Sequence, residues 1–296
     1  MIVLLTYYQQ ELTMSSPLPS AVRLTVGRHT FDGLAAGPAD GELVLLLHGF
    51  PEFADCWSAE LTALAAAGYR AVAVDQRGYS PDARPADIAD YSVELLVADA
   101  LGFADALDAP RFHLVAHDWG GLVAWALAST HPERLHSLTV LSTPHPEALY
   151  EALNNDSDQR ERSQYIREFR LPGHVAEQTM LADDAARLRA IYRGALPTDQ
   201  AESNVRRLTE PGVLTAGLNW YRAINEELRV PAGEITVRTL FVWGTEDRAL
   251  GRDAADLTAK HVSAPYRFVA LEGATHWLPE ADAERIVPLL LEHLAG

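Results

Sequence analysis

Cysteine is almost missing from this chain: Cys56 is the only one among 296 residues. An intrachain disulfide is therefore excluded, and a reducing, cytoplasmic setting is expected. No Cys/His spacing suggests a zinc site, so no metal is expected and Cys56 reads as a small packed side chain. Basic residues are also short, 24 Lys and Arg against 41 Asp and Glu, which leaves a formal charge of −17. A surface this acidic offers no basic stripe to displace counterions from phosphates, so nucleic acid is not an expected partner. No apolar run is long enough to span a bilayer. The apolar opening Met1–Tyr8 is far too short for that and lacks a basic flank. Met14, followed by the Ser/Pro-rich stretch Ser15–Ser20, reads as a plausible true start, so residues 1–13 are expected to be upstream sequence or a disordered tail. No internal repeat is visible.

What is present has an ordinary globular balance, 48% hydrophobic and 22% charged residues. Short β-branched or leucine-rich runs alternate with longer helical patterns, the signature of a mostly parallel sheet flanked by helices. The expected strands are Ala21–Val26, Glu42–Leu47, Arg70–Asp75, Arg111–Ala116, Ser137–Ser142, Val237–Trp243 and Tyr266–Leu271. Several are almost continuously apolar, as strands covered on both faces should be. Helical stretches include Ser58–Ala67, Ser92–Leu107, Gly121–Thr130 and Ala281–Leu294. The alternation stops after Pro144, and a Glu-, Arg- and Ala-rich helical block runs to Arg229 before strands resume. Such a block, inserted between two strands of one sheet, reads as a cap over the sheet's C-terminal edge, where open α/β sheets bind ligands. The expected division is a tail over 1–20, a core over 21–144 and 232–296, and a helical cap over 145–231.

The chemistry centres on Ala116-His117-Asp118-Trp119-Gly120-Gly121. An apolar strand runs into a tight turn with small residues two before and two after Asp118, and then into a helix. That is the pattern of a nucleophile elbow, with Ala116 in place of the usual first glycine. The bland alternative is an Asp capping the helix. A second acid, Asp247, sits just beyond the strand ending at Trp243, in Gly244-Thr245-Glu246-Asp247, with Glu246 as its rival. A histidine, His276, follows the last strand in Gly273-Ala274-Thr275-His276-Trp277. Nucleophile, acid and histidine thus stand in loops at strand ends, in the order this sheet class uses. The string His48-Gly49-Phe50-Pro51-Glu52 follows another strand, and the backbone N–H of Phe50 can pair with that of Trp119 as an oxyanion hole. Asp75-Gln76-Arg77-Gly78 reads as a structural turn with ion pairing.

Together with Asp247 and His276, the strings His48–Glu52, Asp75–Gly78 and His117–Gly121 resemble the epoxide hydrolases of the α/β-hydrolase superfamily, over nearly all of the chain after Ala21. Two cap strings extend the resemblance. Asn219-Trp220-Tyr221-Arg222 is similar to the family segment carrying one epoxide-activating tyrosine, and Gln164–Gly173, with Tyr165, to the segment carrying the other. His145, in Pro144-His145-Pro146, also resembles a family position and is taken as a structural hinge. The resemblance implies an α/β-hydrolase fold and hydrolysis of a small apolar epoxide to a vicinal diol, with no cofactor. A carboxylate suits that work, because Asp118 is already an anion at neutral pH and can attack an sp³ carbon directly. Tyr165 and Tyr221 would protonate the departing oxygen, and His276, oriented by Asp247, would activate water against the Asp118 ester. The nearest rival is a haloalkane dehalogenase, which uses the same aspartate ester. Such enzymes often place an Asn donor where Phe50 stands and have no use for paired tyrosines. A fluoroacetate-type dehalogenase would place arginines after the nucleophile, and an esterase would need serine at 118. A non-catalytic binding scaffold would be expected to lose the nucleophile or the histidine.

Overall fold

The computed structural model describes residues 18–192, 194–224, 230 and 232–296. The expected start at Met14 and most of the tail lie outside these residues. Eight strands form one sheet: β1 (Ser20–Val26), β2 (His29–Ala36), β3 (Leu43–Leu47), β4 (Arg70–Val74), β5 (Phe112–His117), β6 (Leu135–Leu141), β7 (Thr239–Gly244) and β8 (Tyr266–Leu271). Their order across the sheet is β1-β2-β4-β3-β5-β6-β7-β8. The pairs β1–β2 and β2–β4 are antiparallel, and every pair from β4 to β8 is parallel.

Seven of these strands match the sequence expectation to within two residues at either end. β2 was not expected. Its sequence, HTFDGLAA, mixes polar residues with glycine and buries only Phe31 and Ala36. It forms because β1 folds back through the two-residue turn Gly27-Arg28, pairing Val26 with His29. A Gly-X pair between strands is a recognised hairpin signal.

The apolar central strands divide their side chains between two cores by the period of two that strands impose. Leu43, Leu45 and Leu47 of β3 face one core, while Val44 and Leu46 face the other. The first face is covered by α2 (Val93–Ala106) and α3 (Trp119–Thr130), and the second by α1 (Ser58–Ala66) and α12 (Ala283–Ala295).

Between β6 and β7, among the described residues, the chain makes six helices and no strand: α4 (Pro146–Asn155), α5 (Ser157–Arg162), α6 (Tyr165–Phe169), α7 (Val175–Tyr192), α8 (Thr198–Leu208) and α9 (Val213–Ala223). α7 is interrupted by non-helical backbone at Ala182–Ala185. The remaining helices are α10 (Arg252–Leu257) and α11 (Leu278–Ala281).

Polar contacts join this block to the loops after β3 and β4. Arg207 of α8 pairs with Asp75 at 2.5 Å and Asp55 at 3.1 Å, and its guanidinium lies 3.5 Å from the centre of the Phe53 ring. The Tyr192 hydroxyl donates to the Pro51 carbonyl, and the Trp220 indole donates to the Arg77 carbonyl at 2.9 Å. The Asp75–Gly78 turn carries ion pairing of the kind expected, since Arg77 forms a buried two-pronged bond to Asp99 at 2.7 Å. His145 is buried, bonded through Nε2 to the Gly233 carbonyl, and so links the two ends of the helical block. No helix of the described residues is long and apolar enough to cross a membrane.

Candidate active site

The C-terminal ends of β3, β5, β7 and β8 converge above the sheet. Asp118 sits in the turn between β5 and α3 with φ 48° and ψ −118°. A non-glycine residue rarely holds such a conformation, which costs on the order of 1–3 kcal/mol and marks functional turns. The turn needs close backbone approach on both sides. A Cβ added at Gly120 would lie 2.4 Å from the Leu47 carbonyl, and one at Gly49 would lie 2.3 Å from the Asp118 Cβ. No side chain fits at either place.

The Asp118 carboxylate makes no capping bond to α3, which removes the capping explanation for this residue. One oxygen, Oδ1, accepts the Phe50 N–H at 2.8 Å, and Oδ2 lies 3.4 Å from His276 Nε2. His276 Nδ1 is 2.7 Å from Asp247 Oδ2. The other oxygen of Asp247 accepts the Ala249 and Leu250 N–H groups at 2.8 and 3.0 Å, so the acid is fixed. Between the two candidate acids the geometry is unambiguous: Asp247 is buried against His276, while Glu246 is exposed at the mouth of the adjoining cavity. Trp119 is the first residue of α3, where a helix leaves its N–H without an intrahelical acceptor.

Burial alone would depress the basicity of His276, but the Asp247 and Asp118 carboxylates outweigh it and hold the imidazole well above its ordinary pKa. Burial alone would likewise raise Asp118. The bond and charge of His276, with the Phe50 N–H, hold its carboxyl below the usual range. Each group thus favours the charged form of the other.

Across a cavity of about 470 Å³ from Asp118 stand the two tyrosines, Tyr165 at the start of α6 and Tyr221 on α9. Their ring centres are 6.3 Å apart, and the Tyr221 ring lies 4.9 Å from Trp119 and 5.4 Å from Phe50. Burial, and then the nearby negative charges, push both phenols upward, so each keeps its proton as a hydrogen-bond donor. Phe169 closes the aromatic wall, 5.1 Å from each tyrosine ring. Of the residues expected at the site, Asp118, His276, Phe50, Tyr165 and Tyr221 line this space, Trp119 packs beside Tyr221, and Asp247 stands behind His276.

A further layer was not legible as a site. The His276 carbonyl accepts from Ser142 Oγ at 2.7 Å and His117 Nε2 at 2.8 Å, and His117 Nδ1 lies 2.7 Å from Glu52 Oε2. Burial would raise Glu52, but His117 holds its carboxyl well below the usual range. Glu280 is half-buried with its carboxylate enclosed, and that enclosure and the Glu52 charge push it far upward, which favours its protonated form. This grip fixes the main chain that carries the histidine. The signal was present as charged letters inside apolar motifs, His117 beside the nucleophile and Glu52 ending its loop, but their partners are 65 and 159 residues apart in sequence.

A family model described as alpha/beta hydrolase fold matches residues 42–283. The AB hydrolase superfamily protein YfhM of Bacillus subtilis is 37% identical over 266 residues, covering 88% of this chain and 92% of that one. Epoxide hydrolase A of Mycobacterium tuberculosis is 34% identical over 303 residues, covering 88% and 92%. Among solved structures, epoxide hydrolase A of Mycobacterium thermoresistibile superposes with a TM-score of 0.82 at 28% identity, covering 94% of this chain and 98% of that one.

Proposed function

The chain belongs to the α/β-hydrolase family, and from that premise we propose that it is an epoxide hydrolase working through a covalent alkyl ester on Asp118. The observation that carries this reading is the pair of protonated phenols, Tyr165 and Tyr221, lining the same cavity as Asp118. An epoxide oxygen leaves as an alkoxide on the same molecule, so it needs a donor opposite the attacking atom. Residues 145–231 serve as the cap that brings those donors over the core. The relatives named epoxide hydrolase support the substrate class.

In the first step an Asp118 oxygen forms a bond to one epoxide carbon, the C–O bond breaks, and the ring oxygen takes a proton from a tyrosine. Esterification removes the negative charge that helped hold His276 protonated. Its pKa falls, and it gives up a proton that restores the phenol. The neutral imidazole, held by Asp247, is then ready to deprotonate water. That water attacks the Asp118 carbonyl, and the oxyanion is received by the N–H groups of Phe50 and Trp119. Each such donor typically contributes roughly 3 kcal/mol to the transition state. On collapse the leaving diol oxygen takes the proton still held by the attacking water's oxygen, which releases the diol and regenerates the carboxylate beside a protonated His276.

The test is a single turnover of styrene oxide in ¹⁸O-water with enzyme in excess. Attack by Asp118 gives a first-turnover diol without label and places ¹⁸O in the Asp118 carboxylate. A labelled diol would rule out the ester. Bromide release from a bromoalkane, with no diol from any epoxide, would make the protein a dehalogenase instead.

A further inference from the structure

The space above Asp118 has two unequal parts. The larger, about 470 Å³, runs past Phe169, Met180, Ile191 and Trp277 to a rim bearing Arg187 and Arg248. The smaller, about 60 Å³, lies among Leu122, Leu149, Leu153, Ile166 and Leu250. Asp118, Tyr165 and Tyr221 line both. A three-membered ring held between the carboxylate and the phenols therefore sits at the junction, and substituents on its two carbons are directed into different spaces.

A water-sized group needs on the order of 10–15 Å³ of such volume, so the small space holds about four to six such groups. Dry apolar cavities known to admit benzene measure about 150 Å³. A phenyl ring is therefore too large for it, and beyond the catalytic groups, Thr143 and Ser163 its walls are mainly leucine and isoleucine. The large space has room for an aryl or long alkyl arm.

Resting on the epoxide reading above, we infer that the substrates are epoxides with one bulky arm and, on the other ring carbon, only hydrogen or a short alkyl chain. The selection is steric, set by the face of α4 that carries Leu149 and Leu153 one turn apart.

Three epoxides test this: styrene oxide, trans-β-methylstyrene oxide and trans-stilbene oxide, compared by kcat/KM. The first two are expected within tenfold of each other, and stilbene oxide at least 100-fold below them. Leu153→Ala, and separately Leu149→Ala, should raise the ratio of stilbene oxide to styrene oxide kcat/KM at least tenfold. Met180→Ala, in the large space, should give no such gain. Native turnover of stilbene oxide within threefold of the methyl compound would overturn the inference, as would a gain from Met180→Ala and from neither leucine variant. Failure of all three epoxides, styrene oxide included, would instead sink the epoxide reading on which it rests.

Discussion

Replacing His276 by Gln separates the two halves of the proposed reaction. Ester formation requires an ionised Asp118 and the tyrosine donors, and neither is supplied by His276. The variant loses the imidazolium that helps hold the Asp118 carboxyl low against the upward push of burial, and assay at pH 8 favours the carboxylate. The Phe50 N–H, 2.8 Å from Oδ1, remains in place. Ester hydrolysis, by contrast, loses its general base, a contribution of typically 10²–10⁴-fold. That is about 3–5 kcal/mol on the second barrier alone. The variant should therefore alkylate itself once and stall. Intact-mass spectrometry after exposure to styrene oxide should show one adduct of the whole epoxide's mass, because ring opening expels no atom. Peptide mapping should place it on Asp118, and steady-state diol formation should fall by about 10²–10⁴-fold. Turnover within tenfold of native, or an adduct on another residue, would refute the division of labour between Asp118 and His276.

Other perturbations test separate parts of the structure. Phenylalanine at both 165 and 221 should slow alkylation by about 10²–10⁴-fold without changing the decay of preformed ester, as measured by rapid quench; unchanged alkylation would reduce both tyrosines to wall residues. Gly49→Ala places a methyl 2.3 Å from the Asp118 Cβ. It should cost about 1–3 kcal/mol of stability and most of the activity while circular dichroism stays native, and full activity would contradict the geometry. Glu60, in α1, is buried with no partner side chain for its carboxylate, and burial, opposed only by its own backbone N–H, pushes its pKa from 4.5 up to about 8. The folded state binds that proton more tightly than the unfolded chain does. This contribution to stability is complete below about pH 4.5 and is lost as pH rises towards 8, by roughly 3 kcal/mol at pH 7. Glu60→Leu should flatten that slope and raise Tm at pH 8 more than at pH 5; equal shifts at both would show that Glu60 is ionised in the fold.

Much of the site could be read because its residues are local or in fixed chain order. Ala116–Gly121 encodes the elbow within six letters, and the strand that feeds it is unmistakably apolar. The tyrosines were found through family-like strings, since nothing local in a helical segment says that a phenol faces a carboxylate. β2 escaped because pairing with β1 and β4 holds it, while its own sequence carries no alternation.

By itself, then, the sequence determined the alternation of strands and helices, the helical block after Pro144, and the order Asp118, Asp247, His276, because local periodicity and turn chemistry are properties of short segments. Tertiary structure alone decided which of Glu246 and Asp247 meets His276, how Glu52 and His117 grip its carbonyl, and how much space lies on each side of the tyrosine pair. Those depend on distances between residues far apart in the chain, and a shift of one ångström in packing changes them without altering a letter.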